Sequence, residues 1–291
     1  MNGRIEPSVT HPPCPLVNEV CPGALLTSPA VDDQRIKLYQ GSVSECSYLS
    51  EREAINIYAD PHHPQPRLVY NQLITRGFRR SGEFVYRPGC TTCRACVPVR
   101  ILCESFTPRR TDRRTLSRNA DLSVDFRPAR YTDDYFALYT RYLSARHPDG
   151  GMDDPEPADF ERFLLNPWGE TLFVEARLHD RVVAVAVTDA VSDGLSAVYT
   201  FFDPEEEHRG LGRFSILQQI ELCRTLSFPH LYLGYWVDGC RKMQYKTDFR
   251  PQEQFDGQRW ARVEPGDELP CTASRGGQDA TAAAPLVRHP R

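Results

Sequence analysis

The spacing of apolar and polar residues divides this chain into three regimes. Residues 1–34 have no hydrophobic period and are punctuated by Pro12, Pro13, Pro15 and Pro22. Residues 266–291 repeat that character with Gly, Ala, Ser and Pro, so both ends are expected to be a flexible leader and tail. Between them the apolar positions become regular. Residues 68–76 predict a short helix stopped by Gly77, and residues 83–87 (EFVYR) a strand that enters a cysteine array. Thr132 is a fair helix N-cap, followed by Asp133 and Asp134 in the first turn, where the helix dipole favours acids. Phe136, Tyr139 and Leu143 then share one face, and residues 157–165 predict a second helix.

From Thr171 the pattern changes to that of strands. TLFVEAR, VVAVAVTD and SAVYTFF read as three strands, and Ser192, Asp193 and Gly194 supply the turn between the second and third, which gives an antiparallel meander. A glycine-bearing turn (His208, Arg209, Gly210, Leu211, Gly212) follows. Then comes a helix over residues 214–226 with Phe214, Leu217, Ile220 and Cys223 inward, and a strand over residues 230–235. The expectation is an α+β protein with a cysteine-bearing N-terminal domain (35–130) and a second domain (131–265).

At 291 residues, 40% hydrophobic and 25% charged, the chain can bury a core in each of two domains. Its best apolar run, residues 182–187, falls far short of the roughly 20 residues of a membrane span. The first ten residues lack the apolar segment of a secretory signal, so a cytoplasmic protein with no membrane partner is expected. The net charge of −4 conceals a basic segment: residues 67–130 hold fourteen arginines and no lysine against five acids. Ten cysteines are too dilute for a disulfide scaffold, and three of them form a CxxCxxC array, Cys90, Cys93 and Cys96.

Three strands, a basic glycine turn and a helix repeat the order at the centre of the GNAT-type N-acetyltransferase fold. There, N–H groups at the helix start hold a pyrophosphate. Arg209, Gly210 and Gly212 occupy that place, and the anion they would hold is either coenzyme A or the 3′ end of a tRNA.

Four longer blocks decide between these. GFRRSGEFVYRPGCTTCRACVPVRI (77–101), RYLSARHPDGGM (141–152), DGLSAVYTFFDP (193–204) and YLGYWVDGCRKMQYKTDFRP (232–251) together resemble the bacterial aspartate/glutamate leucyltransferases, relatives of the eukaryotic arginyl-tRNA-protein transferases. The resemblance is collinear over roughly residues 35–260. It implies a GNAT-like C-terminal domain whose cofactor cleft serves the aminoacyl end of a tRNA. The implied reaction moves leucine from leucyl-tRNA onto proteins beginning with Asp or Glu and marks them for degradation by the N-degron route. CSYL at Cys46 followed by CxxCxxC favours the leucyl branch over the arginyl one, which stays the alternative.

An aminoacyl ester is already activated, and an α-amine of pKa about 7.7–8.0 is substantially neutral near pH 7, so the reaction requires no cofactor and no strong base. The site must align amine and ester, stabilise the oxyanion and help protonate the ribose oxygen. Tyr245 is the candidate proton donor to the ribose and Lys246 the candidate cation for the terminal phosphates. Tyr199 and Asp203 are candidates for the amino-acid pocket. An acceptor that starts with Asp or Glu asks for guanidiniums, and Arg79, Arg80, Arg146 and His147 are the candidates. Arg109, Arg110, Arg113, Arg114 and Arg118 fall on one helical face and read as a track for tRNA phosphates.

The resemblance brings Cys46 to Cys90, Cys93 and Cys96 as a fourth thiolate, which either structural zinc or an iron–sulfur cluster would accept; a redox-sensitive or buried thiol cluster is the other reading. Two rival functions remain. An acetyl-coenzyme A-dependent N-acetyltransferase leaves the basic N-terminal region unexplained, and a non-catalytic zinc and RNA adaptor leaves the whole second half idle.

Overall fold

The computed structural model describes residues 36–146 and 154–267. The strands are β1 (Leu38–Gln40), β2 (Ser44–Glu45), β3 (Glu53–Ala54), β4 (Asn56–Ala59), β5 (Arg79–Ser81), β6 (Phe84–Pro88), β7 (Cys96–Leu102), β8 (Ser123–Pro128), β9 (Glu170–Leu178), β10 (Arg181–Val191), β11 (Gly194–Phe202), β12 (His230–Val237), β13 (Gln252–Phe255) and β14 (Trp260–Val263). The helices are α1 (Pro66–Ile74), α2 (Arg110–Arg118), α3 (Asp133–Arg146), α4 (Pro157–Leu164) and α5 (Leu211–Thr225), with 3-10 turns over Pro204–Arg209 and Arg241–Asp248.

The meander is present: β9, β10 and β11 pair antiparallel in sequence order around the Ser192 turn. β10 alternates so little that Val183 through Asp189 are all buried, because α3 and α4 cover one face of the sheet and α5 the other. Thr132 caps α3 as expected, its Oγ1 accepting from the Tyr135 N–H at 3.2 Å. Gly77 takes φ +81°, a left-handed conformation that lets the chain leave α1 and turn into β5.

The strand order of the large sheet is β14-β13-β7-β12-β11-β10-β9-β8, while β1, β4, β6 and β5 form a separate four-stranded sheet. The boundary expected at residue 130 does not coincide with the division between the two sheets. β7 and β8 lie before it, yet β7 sits between β12 and β13 and β8 closes the opposite edge. Val97, Val99 and Ile101 of β7 point into the same core as Ile216, Ile220, Leu231 and Leu233, so hydrophobic burial, not chain order, decides which sheet β7 joins.

Candidate active site

One irregularity creates a cleft. β11 and β12 are parallel neighbours only where Gly194, Leu195 and Ser196 face His230, Leu231 and Tyr232. Past that point β11 bulges, since Val187 pairs with Tyr199 and Thr188 with Ala197, leaving Val198 over. β12 bulges as well, between Tyr232 and Gly234. Two extra residues turn the strands apart and leave their facing backbone edges unpaired.

Arg79, projecting from β5, enters the opening. Its Nη2 donates to the Val198 carbonyl at 3.1 Å, and its guanidinium carbon stands 5.9 Å from the centre of the Tyr235 ring. Gly234 has φ +75°, and a Cβ there would lie 2.3 Å from Arg79 Nη1, so this glycine is the floor on which the guanidinium rests. Burial opposes the charge of Arg79, the hydroxyls of Tyr86, Tyr48, Tyr235 and Tyr70 surround it, and among the described residues no carboxylate pairs with it. Burial, and then the neighbouring Tyr86, push the Tyr48 hydroxyl up to about 12.

Arg80, the next residue, points elsewhere. It binds Asp189 of β10 at 2.7 Å with both side chains fully buried, and its other N–H groups reach the Gly82 and Leu164 carbonyls. The expectation that it reads an acceptor carboxylate is therefore corrected: every direction of its fork is already used inside the protein. Arg146 is exposed and 3.3 Å from Glu207. His147 lies outside the described residues.

The 3-10 turn after β12 carries Tyr245 and Lys246 to the same opening. Tyr245 is 44% exposed on the rim, with its hydroxyl held above the usual phenol range by burial and therefore protonated. Lys246 is 4% exposed, and its Nζ donates to the Tyr235 carbonyl at 2.8 Å. Burial and the adjacent Arg79 drive its amine well below the ordinary lysine range. A phosphate-binding cation should be accessible, and the Lys246 amine is enclosed and already bonded to a backbone carbonyl, so that expectation is corrected. Asp203 is also a structural residue: it accepts from the Glu205 N–H as the cap of the 3-10 turn and pairs with Arg181. Tyr199 remains half-buried beside the Val198 bulge.

At the far end of β11, Gly210 takes φ +68° with nothing within 4 Å of where a Cβ would stand, and a Cβ on Gly212 would meet only Phe202, at 3.6 Å. The α5 N-terminus is thus sterically open to an anion. Arg209 does not contribute to it, which corrects its reading as a tRNA contact. Its guanidinium binds Asp121 at 2.9 Å and Glu206 at 2.7 Å, the latter shared with Arg181, so its charge is already paired inside the protein. α2 crosses close by: Arg118 donates to the His208 carbonyl, and Asp112 binds Arg213 of α5 at 2.7 Å. Arg110, Arg113 and Arg114 are exposed on α2, and no described carboxylate pairs with them. Arg109 instead lies 3.4 Å from Asp248 and 3.7 Å from Asp112.

Cys46, Cys90 and Cys93 all bear electrostatically on Cys96, whose thiol is pushed up to about 12, first by burial and then by these neighbours. Arg52 Nη1 donates to Cys93 Sγ at 3.5 Å. Among the described residues no three His, Cys, Asp or Glu side chains are grouped to hold a metal ion.

Sequence reasoning missed Gly234 and Asp189, and both left a signal. A lone glycine inside LYLGYWV marks a bulge or a close approach, and a lone acid inside VVAVAVTDAV must find a buried partner.

Residues 44–114 match the family described as arginine-tRNA-protein transferase, N terminus, and residues 134–256 that described as arginine-tRNA-protein transferase, C terminus. An aspartate/glutamate leucyltransferase of Stenotrophomonas maltophilia (strain R551-3) is 50% identical over 234 residues, covering 78% of this chain and 93% of that protein. Its namesake in Chromohalobacter salexigens is 48% identical over 222 residues, covering 76% and 90%. That of Pseudomonas aeruginosa (strain LESB58) is 46% identical over 229 residues, covering 79% and 97%. Among solved structures, a lysylphosphatidylglycerol synthetase C-terminal domain from Agrobacterium fabrum gives a TM-score of 0.43 at 13% identity, covering 77% of this chain and 84% of that one, a likeness too slight to carry an argument.

Proposed function

The chain belongs to the arginine-tRNA-protein transferase family, with the aspartate/glutamate leucyltransferases as its relatives, and from that membership we propose that it moves leucine from leucyl-tRNA onto the α-amine of proteins beginning with Asp or Glu. On this reading the transfer takes place in the cytoplasm and commits its targets to degradation through the N-degron route. The observation that carries it is Arg79: a guanidinium held in the opening between β11 and β12, paired with no described carboxylate. An enclosed cation without a counterion is costly, and the acidic side chain of an acceptor relieves that cost with a planar, bidentate partner.

The bond changes are simple. The neutral α-amine attacks the leucyl ester carbon, the tetrahedral oxyanion collapses, the carbon–oxygen bond to the terminal ribose breaks, and the amine's surplus proton passes to the ribose oxygen. No cofactor beyond the charged tRNA is asked for. The parting of β11 from β12 supports a GNAT-like use of the cleft, with backbone N–H groups of the unpaired strand edge stabilising the oxyanion. Tyr245, protonated and on the rim, is placed to donate to the leaving ribose oxygen. The open α5 N-terminus and the exposed guanidiniums of Arg110, Arg113 and Arg114 on the neighbouring α2 offer a cationic path for the phosphates of the tRNA acceptor arm.

Transfer of radiolabelled leucine from leucyl-tRNA to peptides beginning with Asp, Glu, Lys or Ala tests the reading, with arginyl-tRNA and acetyl-coenzyme A as parallel donors. Leucine on the Asp and Glu peptides alone is expected. Arginine in its place moves the protein to the arginyl branch, and acetyl transfer alone ends the tRNA reading.

A further inference from the structure

Opposite Arg79, across the Val198 bulge, the cleft is lined with aromatic rings. Tyr199 packs edge-on against Phe163 of α4 at 5.2 Å and Tyr142 of α3 at 6.3 Å, and all three are half-buried. Tyr245 brings a fourth ring from the other strand's side, close enough that both Arg79 and Tyr142 act on its hydroxyl. Tyr142, Phe163 and Tyr199 pack against the core under α3 and α4 and are still only half-buried, and Tyr245 is 44% exposed, so apolar ring surface remains uncovered beside the point where the strands separate. An aromatic enclosure by itself also attracts cations through the ring faces. In this one, however, the charges acting on Tyr142 and Tyr245 from the described residues are those of Arg146 and Arg79, both positive. The enclosure therefore offers apolar contact without the negative potential that a guanidinium or ammonium group would need.

From this placement we infer that Tyr142, Phe163, Tyr199 and Tyr245 receive the side chain of the amino acid carried by the donor tRNA and select an aliphatic side chain over a cationic one. The inference rests on the transfer reading above and deepens it, since it locates the discrimination between leucine and arginine in this chain. Arg79 on one wall faces the acceptor's carboxylate and the rings on the other wall face the donor's alkyl group, so the opening between β11 and β12 separates the two substrates by chemistry.

The test compares kcat/KM for leucyl-tRNA and arginyl-tRNA with one Asp-starting peptide, in the full-length parent, Phe163→Asp and Phe163→Leu. A carboxylate at position 163 is expected to lower leucine transfer and raise arginine transfer, so that their ratio falls roughly a hundredfold, while Phe163→Leu keeps the ratio within about tenfold of the parent. Should circular dichroism show Phe163→Asp unfolded, Tyr142→Asp, at a half-buried ring with no part in the proton transfer, is expected to shift the ratio in the same direction. Equal losses for both donors, or an unchanged ratio in folded variants, overturn the inference while leaving the transfer reading intact. A parent that transfers neither amino acid fails at the earlier step, and the two failures are distinguished by the parent alone.

Discussion

The carboxylate of Asp189 on β10 receives Nε of Arg80 at 2.7 Å and Nη2 at 2.9 Å, with Thr171 Oγ1 donating to the same group at 2.6 Å. Because Arg80 and Arg79 are neighbours on β5, this buried fork fixes the small sheet on the large one and thereby sets where Arg79 enters the cleft. Removing one member of a fully buried pair leaves the other charge unpaired, at about 3–5 kcal/mol. Asp189→Ala is accordingly expected to lower the melting temperature by roughly 10 °C. A loss of under about 2 °C by calorimetry would show that the pair does not join the sheets.

Gly234 offers a cleaner probe of Arg79. Gly234→Ala forces a side chain to φ +75° and into the guanidinium, whereas Gly257→Ala meets φ +104° in open space. Each costs about 1–2 kcal/mol from the backbone. The expected difference is kinetic: Gly234→Ala raises KM for an Asp-starting peptide at least about tenfold, and Gly257→Ala leaves it unchanged. Equal KM values for the two variants would remove Arg79 from acceptor recognition.

Two classes of arginine should separate by salt. Arg110→Ala and Arg114→Ala are each expected to weaken tRNA binding and to reduce the slope of log K against log salt by about 1. Arg209→Ala, whose charge is already taken by Asp121 and Glu206, should leave that slope where it is and lower thermal stability instead. Filter binding from 50 to 300 mM salt decides the matter; a reduced slope for Arg209→Ala would restore it as a tRNA contact.

Acid should destabilise the fold through Glu175. Burial alone would raise its pKa, but hydrogen bonds from Arg177 and from Tyr135, whose hydroxyl is 2.5 Å away, together with Arg127, leave it below the ordinary glutamate value. A carboxylate depressed in the folded state contributes stability above its unfolded pKa of about 4.3, and that contribution is lost as pH falls through the lower folded value. Asp193 acts in the same direction: burial opposes ionisation, and bonds from His230 and Tyr232 overcome it. The melting temperature should therefore drop steeply below about pH 4.3, less steeply in Glu175→Gln. Identical pH slopes in parent and variant would refute the assignment.

Cys96 should resist alkylation at pH 8 in the folded protein, since its thiol titrates near 12 and only the thiolate reacts. Iodoacetamide mapping by mass spectrometry is expected to label Cys96 only after denaturant. Rapid labelling of native protein would contradict the burial of this thiol.

What could be read from the chain was local. The cap at Thr132, the glycine stop at Gly77, the turn at Ser192 and the short apolar runs from Thr171 each depend on residues within a few positions, and each element formed nearly where its spacing placed it. The four collinear blocks supplied the family. The sequence could not say which charges were already spent. Arg79 and Arg80 are adjacent and chemically identical, and only the side on which each leaves β5 makes one a cation in the cleft and the other half of a buried pair. Arg209 and Arg110 differ in the same way: Arg209 is paired with Asp121, 88 residues away, and with Glu206 of its own turn, whereas no described carboxylate pairs with Arg110. Lys246 is buried, and burial and Arg79 lower its amine well below the ordinary lysine range, two influences without a signature in KMQYK. Covalent spacing determines elements because hydrogen bonds and capping act over a few residues; availability for function is settled by desolvation and long-range pairing, which exist only once the sheets have closed on one another.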